Sequence, residues 1–416
     1  MTGNNTRVLV IGAGIVGVST AVWLQRAGCD VTLIDRSGPA SGTSHGNGGI
    51  LAACAVVPVT VPGLLSKAPG MLFDRDQPLF LKWRYLPRLL PFLRRYLANA
   101  TDAQVERTSL ALTELLGDCA DQHVALARNT PAAAYVRPGS YLFGYPDKPA
   151  FDAERYVWSI RRKRGYRFRE MTADDLAAHD PALAGRFGYG VECPDHGLIT
   201  DPGAYVIALA DHFVAQGGRL LTGDVTGFDR QDGTVTAART SAGQIAADSF
   251  VLATGVWSGP LARGLGITVP LESERGYHVE FVNPSITLTS PIMVAAGKFV
   301  VSSMQGRLRC AGVVEFGGLD AGPSRAPFEL LKRQVATLFP DLTYDDTVEW
   351  MGHRPATADS IPTIGQAPAA RNVFVGYGHH HIGLSGGPKT GRWLAQMITG
   401  RPVNTDLSAF SPDRRA

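Results

Sequence analysis

Residues 7–36 read RVLVIGAGIVGVSTAVWLQRAGCDVTLIDR, and their pattern decides the fold class. Arg7–Ile11 is a β-branched apolar run, the signature of a strand buried on both faces. It leads into Gly12-Ala13-Gly14-Ile15-Val16-Gly17, after which Val18, Ala21, Val22 and Leu24 recur at helical spacing. Gly28 ends that helix, where a residue free to take positive φ is wanted. Val31–Ile34 forms a second strand that closes on Asp35. The sum is strand, turn, helix and strand, with G-x-G-x-x-G in the turn and an acid about twenty residues further on. Gly12 allows the tight turn, Gly14 lets a pyrophosphate reach the backbone, and Gly17 lets the helix pack closely on the strand. The helix N-terminus offers N–H groups and partial positive charge to phosphates. Asp35 can accept hydrogen bonds from an adenosine ribose. A glycine-rich structural turn would need neither the second strand nor its terminal acid, so the stretch reads as a dinucleotide site. NAD and FAD are equally compatible with it.

Outward from this unit, a chain of 416 residues exceeds one simple core, and two domains are expected. The formal charge of +3 is too small to argue for a nucleic-acid partner. The five cysteines (Cys29, Cys54, Cys119, Cys193 and Cys310) are scattered without C-x-x-C, so neither a disulfide framework nor a metal site is expected. A reducing compartment fits that usage. The nucleotide strand begins within the first ten residues, so no signal peptide is expected and the location is read as cytoplasmic. Val8–Leu24 is the longest candidate span, and glycines interrupt it.

The loop after Asp35, through Thr43-Ser44-His45-Gly46-Asn47-Gly48-Gly49, is small and polar, as expected for backbone against a ligand. Val56–Ala100 carries Pro58, Pro62, Pro69, Pro78, Pro87 and Pro91 among large apolar and basic residues. It has two readings: short helices on the core, favoured because prolines break an amphipathic period, or a peripheral contact with the inner face of the membrane. Val105–Arg128 reads as one long helix and Tyr135–Tyr145 as strands around Pro138-Gly139. Phe151–Arg164 reads as a helix whose closing Arg161-Arg162-Lys163-Arg164 complements the dipole, and Tyr166–Glu170 as a strand. A helix from Asp201 to about Gln216 and a strand Arg219–Thr222 precede a meander turning at Gly233 and Gly243. A buried strand then runs into Ala253-Thr254-Gly255-Val256-Trp257-Ser258. A second β-rich region spans Arg275 to about Val314, and Pro327–Phe339 is helical. The chain ends in a strand, a glycine-rich loop Gly376–Pro388 and a helix Lys389–Thr399, a second helix N-terminus for the cofactor.

These pieces, in this order and from end to end, resemble the superfamily of D-amino-acid oxidases and dehydrogenases, which includes glycine and sarcosine oxidases. The likeness rests on GAGIVG with its acid, Thr43–Gly49, Ala253–Ser258, Arg275-Gly276-Tyr277-His278, Gly352-His353-Arg354-Pro355 and the Gly378–Ser385 loop. It is greatest for the bacterial D-amino-acid dehydrogenase branch, which includes enzymes acting on D-hydroxyproline. The expected class is α/β, α+β overall. A Rossmann-type FAD-binding domain (residues 1–60, 196–268 and 352–416) is interleaved with a substrate domain on a mixed or antiparallel sheet (61–195 and 269–351).

The resemblance implies FAD, with contacts at Gly12, Ala13, Gly14, Ile15, Val16, Gly17, Asp35, Arg36, Ser44, Asn47, Gly48 and Gly49. It adds Val225, Ala253, Thr254, Gly255 and Trp257, and places His379, Gly383, Leu384 and Ser385 by the isoalloxazine. No cysteine stands near Gly352–Pro355, so the flavin is expected to be non-covalent. Arg354 matches the family's carboxylate anchor, whose planar fork fixes the substrate Cα–H bond over the flavin. Tyr277 or His278, with one of His353, His380 and His381, is expected to hold the amine or side chain. The expected substrate is a small D-amino or imino acid such as D-proline or a hydroxyproline, and the acceptor is oxygen, a quinone or another carrier. Two departures stand out: Asp35 replaces the family's usual Glu, and Gly378-His379-His380-His381 replaces the usual Gly-His-Gly-His. An NAD(P)-linked oxidoreductase and a flavin-bound assembly protein are the competing readings.

Overall fold

The opening unit forms as Arg7–Ile11, a helix Ile15–Arg26 and Asp30–Asp35, and it sits at the middle of a six-stranded sheet. The computed structural model describes residues 6–63 and 78–414, so Pro69 of the proline-rich segment lies outside the described residues. Arg7–Ile11 pairs in parallel with Asp30–Asp35 on one side and Ser249–Leu252 on the other. Arg219–Thr222 and Val373–Tyr377 extend the sheet in parallel, and Thr363–Gln366 closes one edge antiparallel. Val8–Ile11 are all buried, as a strand covered on both faces requires.

The final helix runs Gly383–Ile398, six residues earlier than the apolar pattern alone predicts. Its glycines are there for close approach. A Cβ on Gly391 would lie 2.6 Å from the Thr20 backbone nitrogen, so only glycine lets this helix rest on Ile15–Arg26.

The second sheet has nine strands. Its order is Asp346–Thr357, Leu271–Val282, Arg307–Phe316, Phe299–Met304, Ile292–Val294, Val136–Tyr145, Tyr189–Ile199 and Arg169–Thr172, with Leu79–Leu81 beside Arg307–Phe316. Most pairs are antiparallel; Ile292–Val294 runs parallel to Val136–Tyr145. Helix Arg325–Leu338 covers one face through Phe328, Leu331 and Val335. The expected meander is a separate three-stranded sheet.

Local departures have physical causes. Val105–Arg128 is two helices, Asp102–Leu116 and Cys119–Ala127, interrupted at Gly117-Asp118. Phe151–Arg164 likewise divides into Lys148–Asp152 and Arg155–Lys163. Pro138-Gly139 does not end its strand; the register against Tyr189–Ile199 shifts between Gly139 and Tyr141 and absorbs the missing donor. The described part of the proline-rich segment holds a helix, Leu86–Ala98, whose Leu89, Phe92 and Tyr96 are buried. Its helical period survives because Pro87 lies in the first turn and Pro91 on the exposed side. Trp83 and Leu90 remain exposed beside it. Among the described residues, no helix is long and apolar enough to cross a membrane.

Candidate active site

The C-terminal ends of the parallel strands open onto a cavity of about 880 Å³ that reaches across to the large sheet. The glycine turn forms its floor on the sheet side. Gly12 donates to Ile34 O at 2.8 Å and holds φ at +103°. One oxygen of Asp35 accepts from Ala13 N at 2.8 Å, and the other accepts from Ser37 and Gly38 N–H groups at 2.8 and 3.0 Å. This fixes the carboxylate at the cavity wall with lone pairs left for a ribose. Ser44 Oγ accepts from Ile15 N at 2.9 Å, so its hydroxyl hydrogen is left to donate to a phosphate. Arg36 stacks on Trp257 with its guanidinium carbon 4.0 Å from the ring centre. Val16, Val225, Ala253, Thr254 and Gly255 line the same wall, while Ala13, Gly17 and Gly49 of the expected contacts are not among its lining residues.

The loop over the opposite side is held by its carbonyls. Arg309 donates to His45 O at 3.0 Å and to Asn47 O, His278 Nδ1 binds Gly46 O at 3.1 Å, and Ser302 donates to Gly48 O at 2.7 Å. Four consecutive carbonyls are thus tied to the large sheet, which leaves the other edge of the loop for the cofactor. Arg309 is fully buried and bound to Glu280 at 2.6 and 2.8 Å. At the far end Ser385 bridges Ile50 O and Ala52 N at 3.2 and 3.3 Å, placing the N-terminus of Gly383–Ile398 at the cavity with Gly383 and Leu384. His379 Nε2 binds Thr390 Oγ1 at 2.9 Å and anchors that helix. A glycine cradle, a fixed ribose acceptor and two helix N-termini suit a long anionic dinucleotide. The residues that would hold FAD are those named above.

The substrate end is built by one row of cross-strand pairs. Leu271–Val282 and Asp346–Thr357 are in register, with Glu274 opposite Arg354, Gly276 opposite Gly352 and His278 opposite Trp350. Alternation puts these pairs on one face. Arg354 Nη1 binds Glu274 Oε1 at 3.0 Å, and Arg354 keeps 18% of its side chain accessible. Gly276 makes this arrangement possible, because a Cβ there would lie 2.6 Å from Arg354 Cζ. His380 Nδ1 lies 3.9 Å from Glu274 Oε2, and His380 Nε2 accepts from Thr357 N at 2.8 Å, so in its neutral form the proton sits on Nδ1. Burial pushes the Glu274 carboxyl up, but the His380 contact and the Arg354 guanidinium outweigh it and hold it at about 2. His381 lines the cavity with its side chain exposed to it.

Of the other expected substrate ligands, Tyr277 borders the cavity with its hydroxyl turned away, while His353 and His278 are not among its lining residues. Tyr277 donates to Glu315 at 2.6 Å and accepts from Ser324 N at 3.0 Å, so its hydroxyl is engaged within the large sheet's core. His353 binds Ser273 Oγ at 2.8 Å and lies behind the Trp257 ring, 5.6 Å centre to centre. Both belong to the sheet face opposite Arg354. His278 stacks on Trp350 at 5.2 Å and serves the cofactor loop through Gly46. Burial, reinforced by Arg309, holds His278 well below the ordinary histidine range, so it is neutral. Sequence reasoning missed Glu274. It stands beside the Arg275–His278 motif, but only the register with Asp346–Thr357 puts it on the face of Arg354.

Two further neutral histidines give the cofactor region an acid limit. His123, between Tyr205 and Leu384 O at 2.9 Å each, is lowered by burial to about 4, and His379 to about 3. Their folded pKa lies below the unfolded value, so unfolding takes up protons as pH falls below about 6.5. Stability is expected to fall by up to roughly 1.4 kcal/mol per pH unit for each of them on going from pH 6.5 to 4.5. Urea unfolding across that range checks this; a flat profile would refute it.

The fold and this site define a dinucleotide-dependent oxidoreductase with a small, charged substrate end. The chain belongs to the DAO family of FAD dependent oxidoreductases, which it matches over residues 7–397. It is therefore an FAD enzyme, which sets aside the nicotinamide reading. It is 39% identical to a D-amino-acid oxidase of Bradyrhizobium diazoefficiens over 98% of both chains. It is 31% identical to a D-amino acid dehydrogenase of Paramagnetospirillum magneticum, again over 98% of both. Among solved structures, glycine oxidase from Geobacillus kaustophilus superimposes with a TM-score of 0.74 over 99% of this chain and 100% of that one, at 21% identity. L-proline dehydrogenase from P. horikoshii superimposes at 0.67 over 98% and 97%, with 18% identity. These two likenesses speak for the fold.

Proposed function

We propose that the chain oxidises the Cα–N bond of a small D-amino or imino acid, with D-proline and the hydroxyprolines as first candidates. The observation that carries this is the Arg354–Glu274 pair on a side-chain-free floor at Gly276. The D-amino-acid names of two full-length relatives support the substrate class. FAD, when bound, supplies the hydride acceptor. Arg354 has donors beyond the one on Glu274, and these bind the substrate carboxylate as a fork. Glu274 is charged and faces the amine. It orients an incoming ammonium, whose proton must leave before the nitrogen lone pair can assist. His380 Nδ1 stands 3.9 Å from the other Glu274 oxygen, a contact too long for a hydrogen bond.

The test is the flavin spectrum of the protein under anaerobic conditions, with each isomer of proline, hydroxyproline and the simple amino acids added in turn. Bleaching with D-amino or D-imino acids alone is the expected result. A flavin band that no amino acid bleaches would overturn the reading. A second expectation concerns Glu274→Gln. It should lower kcat/KM for the amino acid about tenfold, one charge-assisted contact's worth. It should also tighten inhibition by carboxylates lacking an amine, because the competing anion beside Arg354 is gone. If both ligand types weaken together, Glu274 is a support of Arg354 and has no contact with the amine.

A further inference from the structure

Residues 49–54, which carry the flavin-side Ile50 and Ala52, are zipped onto the strand Tyr189–Ile199 of the large sheet. Ile199 N donates to Gly49 O at 2.7 Å, Leu51 N to Gly197 O at 2.9 Å, and Cys54 N to His196 Nε2 at 3.1 Å. The zip ends in a cluster. Cys54 Sγ, Cys193 Sγ and a ring nitrogen of His196 all lie within 4.8 Å of one another, and all three residues are buried. His196 Nδ1 donates to Pro194 O at 2.6 Å, so Nε2 is the unprotonated nitrogen. This is the backbone bond that orients a metal-binding imidazole.

We propose that Cys54, Cys193 and His196 bind a thiophilic d10 ion, Zn²⁺ or Cu⁺, clasping the flavin-side segment to the substrate sheet. Metal–sulfur bonds of about 2.3 Å and metal–nitrogen bonds of about 2.0 Å place tetrahedral donors roughly 3.5–3.8 Å apart. The present spacing, within 4.8 Å, needs a closure of at most about an ångström to reach that. Two thiolates and one imidazole suit soft ions and exclude Mg²⁺ and Ca²⁺. Cu⁺ is satisfied by the three donors, whereas Zn²⁺ takes a water as the fourth ligand. Cys54 lines the cavity, which gives the ion a way in. Arg161 donates to Cys54 O at 3.3 Å and stacks over Phe143 and Trp158, so a fixed cation stands beside the thiolates. Binding exchanges two S–H protons for two metal–sulfur bonds, releases both protons to solvent, and replaces the Cys54 N–H bond to Nε2 with a metal–nitrogen bond. No electron is transferred.

The experiment uses the full FAD-bound protein, reduced with a phosphine and freed of metal by dialysis against chelator. Titration with Co²⁺, as a spectroscopic stand-in for Zn²⁺, should give a thiolate-to-metal charge-transfer band that saturates at one ion per chain. Cu⁺ should be taken from a colorimetric chelator with the same stoichiometry, and competition between the ions decides which is held. Cys193→Ser and His196→Gln should weaken binding at least a hundredfold, and Cys29→Ser should leave it unchanged. Retention of the flavin absorbance reports that each variant is folded. Should a variant lose its flavin, X-ray absorption at the zinc edge of the unaltered protein counts two sulfur ligands or does not. No charge-transfer band together with no Cu⁺ uptake, or binding of either ion that survives Cys193→Ser, would overturn the proposal.

Discussion

Arg354→Met is expected to lower kcat/KM for the best amino-acid substrate by about a thousandfold. A fork of two charge-assisted hydrogen bonds to a carboxylate contributes roughly 1.5–3 kcal/mol per bond, and about 1.4 kcal/mol is a factor of ten. The same substitution also harms the fold, because it strands the buried Glu274 carboxylate, whose nearest strong cation is Arg354 at 3.0 Å. Breaking a buried pair on one side costs about 3–5 kcal/mol. The two effects separate in the double variant Arg354→Met/Glu274→Gln. Removing the stranded charge should return most of the lost stability, measured as Tm, while kcat/KM stays near the single-variant value. A double variant that regains kcat/KM to within tenfold of the parent would show that Arg354 is only a structural ion-pair partner. The expected asymmetry follows from geometry: Glu274 can be replaced by a neutral amide of the same shape, whereas the atoms closest to Gly276 are those of the Arg354 fork itself.

How far the sequence could reveal this site depends on what each residue's neighbours are. The turn from Gly12 to Gly17 is legible because the strand, glycines, helix and acid that define it follow one another within Arg7–Arg36, and their spacing records the unit. Arg354 was legible because a four-residue motif surrounds it. Tyr277 and Glu274 were not separable on the same grounds. They differ only in the parity of their positions along Leu271–Val282, and parity becomes a face only once the strand has a partner in register. A register shift beside Tyr277 and His278 in the pairing with Arg307–Phe316 makes even that count insecure. The early start of the helix Gly383–Ile398 was hidden for a different reason. Its glycines look like a loop unless the helix that crosses them is known. The cluster of Cys54, Cys193 and His196 is the limiting case. Cysteines without a short spacing carry no local signal, and only the zip of residues 49–54 onto a distant strand brings their donors together. Pro91 shows the converse error, since a proline on the exposed side of a helix leaves its apolar period intact.

Gly17→Ala is expected to cost the enzyme its cofactor, with FAD affinity down by at least a thousandfold and a colourless purified protein. The added Cβ would lie 1.7 Å from Gly12 O and 2.9 Å from Gly12 C. Both are backbone atoms, so no rotamer change relieves the clash. Gly12 cannot retreat, because it donates to Ile34 O at 2.8 Å and its own Cα side already faces Ala253 O, 2.5 Å from where a Cβ would sit. The helix Ile15–Arg26 must therefore lift by more than an ångström. That breaks the Ile15–Ser44 bond and withdraws the N–H groups that would face the pyrophosphate. The shift also reaches the final helix, which rests on Ile15 and Thr20. The apoprotein of Gly17→Ala should consequently melt several degrees below the parent apoprotein. Gly14→Ala separates cradle from scaffold. Its Cβ would meet only the Ser44 hydroxyl, at 3.3 Å, and it projects into the cavity. Its apoprotein should melt with the parent while FAD binding still falls, about tenfold to a hundredfold, because the methyl stands where the backbone meets the pyrophosphate. Calorimetry of both apoproteins and flavin titration of each give the four numbers needed. If Gly17→Ala keeps its flavin within tenfold of the parent affinity, the stacked backbone of Gly17, Gly12 and Ala253 does not set the cofactor's place.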